Sequence, residues 1–142
     1  MSLKVELKPH ERLVVGNCII TNSDQRTRLF IDGKAPVLRE KDILSAATAD
    51  SPAKRIYFAV QLMYLDESVE RLRRDYFALV TDLVRAAPST TRIIDEINNE
   101  ILTGHLYKAL RAAKKLISYE RDLLLNAQPG DASLPDGSQA NR

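Results

Sequence analysis

Residues 12–21 read RLVVGNCIIT, and this stretch decides the fold class of the first part of the chain. Two short apolar runs flank Gly16 and Asn17, a pair that readily adopts the left-handed backbone conformations of a tight hairpin turn. The stretch therefore predicts two antiparallel strands, 12–15 and 18–21, joined by a two-residue turn.

The sequence around this hairpin has the same character. Leu3, Val5 and Leu7 alternate with charged residues, a period of two that places the apolar side chains on one face of a strand. A similar alternation covers residues 26–31, a further short strand is predicted over 36–39, and turn-forming residues separate them. The first part of the chain therefore predicts a compact antiparallel β meander of four or five short strands, too small to be stable unaided.

From residue 51 onward the apolar residues recur with helical spacing. Ser51 followed by Pro52 is a helix-start signal, a serine N-cap with proline at the first helical position. About four helices are predicted, with breaks near residues 66–68, at Pro88 and at Gly104. The predicted fold class is therefore α+β, a small antiparallel β module followed by an α-helical hairpin bundle.

This pattern divides the chain into a β module at 1–50, a helical bundle at 51–126 and a tail at 127–142. The tail is rich in Pro, Gly, Ser, Asp, Asn and Gln and has almost no apolar side chains. Because such a segment cannot offset its ordering entropy, we expect the tail to be disordered.

Three further predictions concern burial. Cys18 is the only cysteine, so no internal disulfide forms, and its apolar neighbours predict a buried, inert thiol. On the third and fourth helices the inward apolar stripes are predicted to end at Leu102 and Leu124.

Charge and composition exclude several classes of function. The net charge is +2, from 21 basic and 19 acidic residues, which is not the strong excess of a non-specific nucleic-acid binder. No apolar run approaches the roughly 18 to 20 residues that a membrane span needs, and the first residues lack the order of a signal peptide. We therefore expect a cytoplasmic protein with no membrane partner.

Familiar catalytic arrangements are missing from the sequence. It contains no Gly-rich phosphate loop, no helical histidine pair, no cysteine pair and no nucleophile elbow. Asp95, Glu96 and Glu100 cluster on the third predicted helix, where a solvated face is the commoner interpretation. We expect a protein that acts by binding and is not an enzyme, with no metal and no cofactor.

Basic residues are dense in the β module. Arg26 and Arg28 are predicted to share a strand face with Phe30. Guanidinium groups contact phosphates and stack on bases, and an exposed aromatic ring adds stacking. The alternative is that these charges only confer solubility, balanced by nearby carboxylates. The candidate RNA-binding residues are Lys8, Arg12, Arg26, Arg28, Arg39 and Lys41.

Residues 15–44, VGNCIITNSDQRTRLFIDGKAPVLREKDIL, resemble the most characteristic segment of the FlbT family. The similarity continues through SPAKRIYFAVQLMYL (51–65), AAPST (86–90) and INNEILTGHLYKAL (97–110). The resemblance implies a bacterial flagellum regulator that acts after transcription. Such proteins associate with the 5′ untranslated region of flagellin messenger RNA and promote its degradation, although some members support flagellin production instead.

A second similarity concerns HERLVVG (10–16) and APVLREKDI (35–43), which resemble segments of the carbon storage regulator proteins. Those are all-β RNA binders that pair strands between two protomers and grip RNA with basic residues on the first and last strands. Arg39 falls at that family's key arginine, whereas its first-strand basic position falls at Leu7, with Lys8 adjacent. The similarity implies RNA binding and a homo-oligomer formed through the β module.

Two functional hypotheses remain open. The first is an RNA-binding repressor of flagellin synthesis, whose partner is the flagellin messenger RNA leader. The second is a protein-interaction module that binds flagellin, or a flagellar regulatory or secretion partner, through the helical half. The near-neutral charge favours the second, as do tyrosines that recur on the helices and are suited to a protein-binding groove. These are Tyr57, Tyr64, Tyr76, Tyr107 and Tyr119.

Overall fold

A computed structural model describes residues 2–66 and 69–126. In these ranges the strands are β1 (Ser2–Leu7), β2 (Arg12–Val15), β3 (Cys18–Thr21), β4 (Thr27–Asp32) and β5 (Val37–Arg39). The helices are α1 (Pro52–Leu65), α2 (Val69–Ala86), α3 (Thr91–Leu102) and α4 (Leu106–Asn126), with single 3-10 turns at Glu40–Asp42 and Pro88–Thr90. The predicted α+β class is confirmed, while the predicted disorder of 127–142 lies outside the described residues.

The strands form two antiparallel sheets. β1 pairs with β4, with Val5 opposite Leu29, and β2 lies between β3 and β5. The predicted meander is therefore wrong in its pairing, because β4 lies against β1 and β5 lies against β2. The inward side chains explain this order, since Val5, Leu7 and Leu13 form a small shared core between the sheets.

The two-residue hairpin is formed as predicted. Val15 pairs with Cys18, which leaves Gly16 and Asn17 as the turn. Gly16 has a φ of 63°, a left-handed conformation that favours glycine over residues with a Cβ. The turn therefore sets the register of β2 against β3.

The helices surround a second, larger core. α1 packs on both α2 and α4, and α3 packs on α4. Fully buried side chains such as Ile56, Ile97 and Leu116 form the centre of this core. Leu38 of β5 is buried in the same cluster and Val14 of β2 packs against it. The three-stranded sheet therefore lies between the small core and the helices.

Three apolar side chains are exposed where burial was predicted. Cys18 is exposed because β3 pairs with β2 along one edge only. Leu102 is 67% exposed and Leu124 is 59% exposed. Both lie in the last turn of a helix, where fewer neighbouring elements are available to cover them.

Ser51 caps α1 as predicted. Its Oγ accepts a hydrogen bond from the N–H of Lys54 at 3.2 Å, and Pro52 occupies the first helical position. Glu120 of α4 accepts hydrogen bonds from Ser51 Oγ at 2.6 Å and from the N–H of Ala53 at 2.9 Å. One carboxylate thus accepts hydrogen bonds at the start of α1, where backbone N–H groups lack helical partners, and links this end of α1 to α4.

Polar side chains of α1 bind the backbone of residues 37–44. The amide of Gln61 donates to the carbonyl of Leu44 and accepts from its N–H, both at 2.9 Å. The hydroxyl of Tyr64 accepts from the N–H of Val37 and donates to its carbonyl, both at 3.0 Å. At Val37 and Leu44, side chains of a helix therefore supply the hydrogen-bond partners of the backbone.

Two buried tyrosines of the helices form further hydrogen bonds between separate elements of the fold. Tyr57 donates its hydroxyl proton to the carbonyl of Asp42, and Tyr76 donates to Oδ1 of Asn98 at 2.7 Å. Burial raises the pKa of both hydroxyls well above the ordinary tyrosine value, so both remain protonated donors. These tyrosines join elements of the fold.

Replacing Glu120 with alanine is expected to lower the free energy of unfolding by about 1–2 kcal/mol, because the first turn of α1 loses a charged acceptor. Urea unfolding measures this loss. Asp122→Ala, at an exposed position of the same helix, is the matched control and should stay within about 0.5 kcal/mol of the wild type. Equal stability of the two variants would contradict the capping role of Glu120.

Gln61→Leu keeps a side chain of similar size but leaves both backbone groups of Leu44 without their partner. Because an unsatisfied buried polar group costs about 1–3 kcal/mol, we expect a loss of at least about 2 kcal/mol in thermal or urea unfolding. Gln25→Leu, in an exposed loop, is the control. An unchanged stability of Gln61→Leu would show that these hydrogen bonds do not hold the segment in solution.

Candidate functional site

Arg28 and Phe30 lie on the outer face of the β1–β4 sheet, as the alternation in the sequence predicted. Phe30 is 64% exposed and lies opposite Lys4 of β1. Arg28 lies opposite Glu6, and its Nη2 is 3.1 Å from Oε2 of that carboxylate. An exposed ring flanked by cations is an arrangement on which nucleic-acid bases stack.

Lys8 and Arg26 lie at one end of the same sheet. They come immediately beyond Leu7 and Thr27, the last pair of the β1–β4 ladder. Both residues are exposed. Within residues 2–66 and 69–126, neither of their side chains forms an ion pair. Both cations are therefore available to a ligand.

Arg39 joins the two sheets. Its Nη2 donates to the carbonyl of Glu6 in β1 at 2.8 Å and lies 3.5 Å from Oε2 of Glu11. Glu11 also accepts the backbone N–H of Lys8 at 2.9 Å. That hydrogen bond, together with the positive charge of Arg39, holds the pKa of Glu11 below its ordinary value. Arg39 thus positions β1 against β5.

Arg12 is paired with Glu40 across the three-stranded sheet. Its Nη2 lies 3.3 Å from Oε2 of Glu40, and its backbone N–H donates to Oε1 at 2.9 Å. The two side chains are 57% and 43% exposed. Lys41 follows Glu40 and is exposed, with no ion pair among the residues that the structure describes.

All the predicted RNA-binding residues therefore lie toward one end of the β module, where β1 and β5 end and β2 and β4 begin. We call this set the cationic end, and it comprises Lys8, Arg12, Arg26, Arg28, Arg39 and Lys41. The three paired arginines alternate in space with carboxylates, which the sequence alone did not assign to them. Lys8, Arg26 and Lys41 form no ion pair among the described residues, so three of the six cations are free of a carboxylate partner there.

A groove of about 370 Å³ lies between β1 and β5 and was not predicted from the sequence. Tyr64 and Tyr107 line it, with ring centroids 5.6 Å apart, together with Leu3. Arg39 also lines the groove, and its Nε is buried without a hydrogen-bond partner in the described part of the chain. Segments far apart in the sequence, among them β1, β5, α1 and α4, contribute to the groove, so no local sequence pattern marks it.

The described side chains offer no arrangement suited to a metal ion. Among these residues, no group of three or more His, Cys, Asp or Glu side chains is placed to hold one. None of the described helices combines the length and apolar character needed to cross a bilayer.

Comparison with known proteins assigns the chain to a family. The family model described as "Flagellar protein FlbT" matches residues 3–124. The chain is 58% identical to the probable flagellum biosynthesis repressor protein FlbT 1 of Bradyrhizobium diazoefficiens over 124 residues, covering 87% of this chain and 85% of the relative.

Two other relatives extend the comparison. Identity to the probable flagellum biosynthesis repressor protein FlbT of Rhodopseudomonas palustris is 52%, covering 87% of this chain and 98% of the relative. Identity to the flagellum biosynthesis repressor protein FlbT of Caulobacter vibrioides is 35%, covering 92% and 94%. No solved structure matches the chain significantly. The chain belongs to the FlbT family of flagellar proteins.

Proposed function

We propose that this protein is a repressor of flagellum biosynthesis that binds the 5′ untranslated region of flagellin messenger RNA and promotes its degradation. The relatives named as flagellum biosynthesis repressors support the repressor role. The observation that carries RNA binding is the juxtaposition of the exposed Arg26 with Arg28 and the exposed ring of Phe30. Together they offer phosphate contacts beside a stacking surface.

The ion pairs at the cationic end are compatible with this proposal. Exposed ion pairs contribute only about 0–1 kcal/mol, because water screens them and both side chains lose conformational freedom. Arg28 and Glu6 have side-chain exposures of 57% and 46%, so exchange of the carboxylate for a phosphate costs little. Arg39 is less available, because it is also bonded to the β1 backbone.

In this proposal the protein does not cleave RNA itself, because its sequence offers no catalytic constellation. Degradation follows from remodelling of the RNA leader or from recruitment of a nuclease in the cytoplasm. The small net charge of +2 means that recognition depends on the local arrangement of cations and not on bulk attraction.

Removing the charges of Arg26 and Arg28 tests the proposed RNA interaction. In a titration of fluorescently labelled flagellin leader RNA, Arg26→Gln combined with Arg28→Gln should weaken binding by about tenfold or more. The negative slope of log affinity against log salt concentration should become shallower by about 0.7 to 0.9 for each phosphate that the variant no longer neutralises.

The matched control removes the same charge from the helices. Arg71→Gln combined with Arg92→Gln, at exposed positions of α2 and α3, should leave affinity close to that of the wild type. Equal weakening by both double variants would show that total charge, and not the cationic end, governs binding. Wild-type protein without affinity for the leader RNA would overturn the proposed function itself.

A protein-interaction module is the second candidate function. Exposed apolar side chains on the helices favour it, namely Phe77, Leu102, Tyr107, Leu124 and Leu125. Its partner would be flagellin or a flagellar regulatory or secretion protein, with an indirect effect on the messenger RNA. Burial and internal hydrogen bonds leave Tyr57 and Tyr76 less suited to a binding groove than the sequence suggested.

Affinity capture from lysate separates the two candidates. If RNA binding is direct, flagellin messenger RNA is retained, and partners held through that RNA disappear after nuclease treatment. If the second candidate is correct, all specific partners survive nuclease treatment and no RNA is retained beforehand.

A further inference from the structure

The edge strand β3 is apolar on both faces and covered on neither. Ile19 is 66% exposed and Ile20 is 39% exposed, and the other two residues of the strand are exposed as well. Strands with apolar residues on both faces are typical of sheets that are buried on both sides. β3 therefore has the composition of an interior strand at the edge of its sheet.

The free backbone groups of β3 follow from the register of the sheet. The N–H of Gly16 donates to the carbonyl of Pro36 at 2.8 Å, which marks a hydrogen-bonded position between the chains of β2 and β5. Hydrogen-bonded and non-hydrogen-bonded pairs alternate along an antiparallel ladder. Val14 lies two residues before Gly16, so its N–H and C=O also point toward β5. Ile19, opposite Val14, therefore directs its own N–H and C=O away from β2, as does Thr21.

The outer edges of β5 and β4 are protected. At the outer edge of β5, the hydroxyl of Tyr64 occupies both backbone groups of Val37. β4 carries Arg28 and Asp32, and charged residues on an edge strand discourage pairing with another chain. β3 has no such protection, since residues 17–23 are uncharged and contain no proline.

We propose that β3 pairs with β3 of a second copy of this chain, antiparallel about a two-fold axis. Ile20 lies opposite the partner's Ile20, and Ile19 lies opposite the partner's Thr21. In this register the outward N–H and C=O of Ile19 exchange hydrogen bonds with those of the partner's Thr21, and the symmetry axis repeats the exchange. Two three-stranded sheets thereby become one continuous sheet.

Self-pairing is favoured over pairing with another surface by two features of β3. An uncharged strand brings no like charges together when it meets its own copy. An isologous contact also closes after two subunits, whereas contact with a different edge would propagate into a filament. Because the strand is only four residues long, the interface is small and a dissociation constant on the order of micromolar is expected.

Sedimentation velocity of the full chain between about 5 and 200 µM spans the expected dissociation constant. The wild type should change from monomer to dimer across this range. Ile20→Lys sets two ammonium groups across the axis and should raise the dissociation constant at least about tenfold. Leu102→Lys, at an exposed apolar residue of α3, is the matched control and should dimerise like the wild type.

Cross-linking tests the register without disturbing the strand. In a Cys18→Ser background, Ile20→Cys brings two thiols together at the axis, and mild oxidation should give a covalent dimer. Leu102→Cys in the same background should not cross-link.

A wild type that stays monomeric throughout overturns the proposal. A dimer that Ile20→Lys does not weaken overturns it as well, because another surface must then mediate association. A β3-dependent dimer in which Ile20→Cys does not cross-link contradicts the register. Wild-type monomers that bind a different protein through Ile20 would identify a foreign strand as the occupant.

Discussion

Hydrogen bonds from α1 to the backbone of residues 37–44 hold the β module and the helices together. β5 has a neighbouring strand on one edge only, and an unsatisfied buried backbone group costs about 1–3 kcal/mol. Tyr64 supplies these partners to Val37 of β5, and Gln61 supplies partners to Leu44 further along the same segment. Leu38, from the same segment, enters the helical core. A β module too small to be stable alone thereby shares a core that it could not build from its own strands.

The attachment of β5 to α1 also positions the cationic end. Arg39, at the end of β5, reaches across to the β1 carbonyl of Glu6 and to the carboxylate of Glu11. That interaction sets β1 relative to the three-stranded sheet, and the pairing of β1 with β4 then directs Arg28 and Phe30 outward. Helix α1 therefore influences the candidate site through the strands, at positions well separated in sequence from the cations themselves.

Local patterns predicted the local features of this fold. The turn at Gly16, the cap at Ser51 and the alternation in β4 each depend on residues close together in the sequence, and each is confirmed. The pairing of β4 with β1, the bonds made by Tyr64 and the groove beside it depend on distant segments, so no local pattern encodes them. The burial predicted for Cys18 was wrong for the same reason, because its apolar neighbours did not reveal that β3 is an edge strand. The sequence identified the cationic residues. It could not show which carboxylates lie beside them, because those carboxylates are on other strands and turns.

The mixture of cations and carboxylates has a consequence for ligand choice if the cationic end binds RNA. Each carboxylate near Arg12 or Arg28 cancels part of the positive field at distances larger than the ion-pair separation, and salt screens the remainder beyond the Debye length of about 8–10 Å. A polyanion therefore gains little from general attraction, in keeping with the net charge of +2. A ligand gains only when its phosphates come close enough to displace the carboxylates and a base reaches Phe30. Such an arrangement favours an RNA of particular shape over nucleic acid in general.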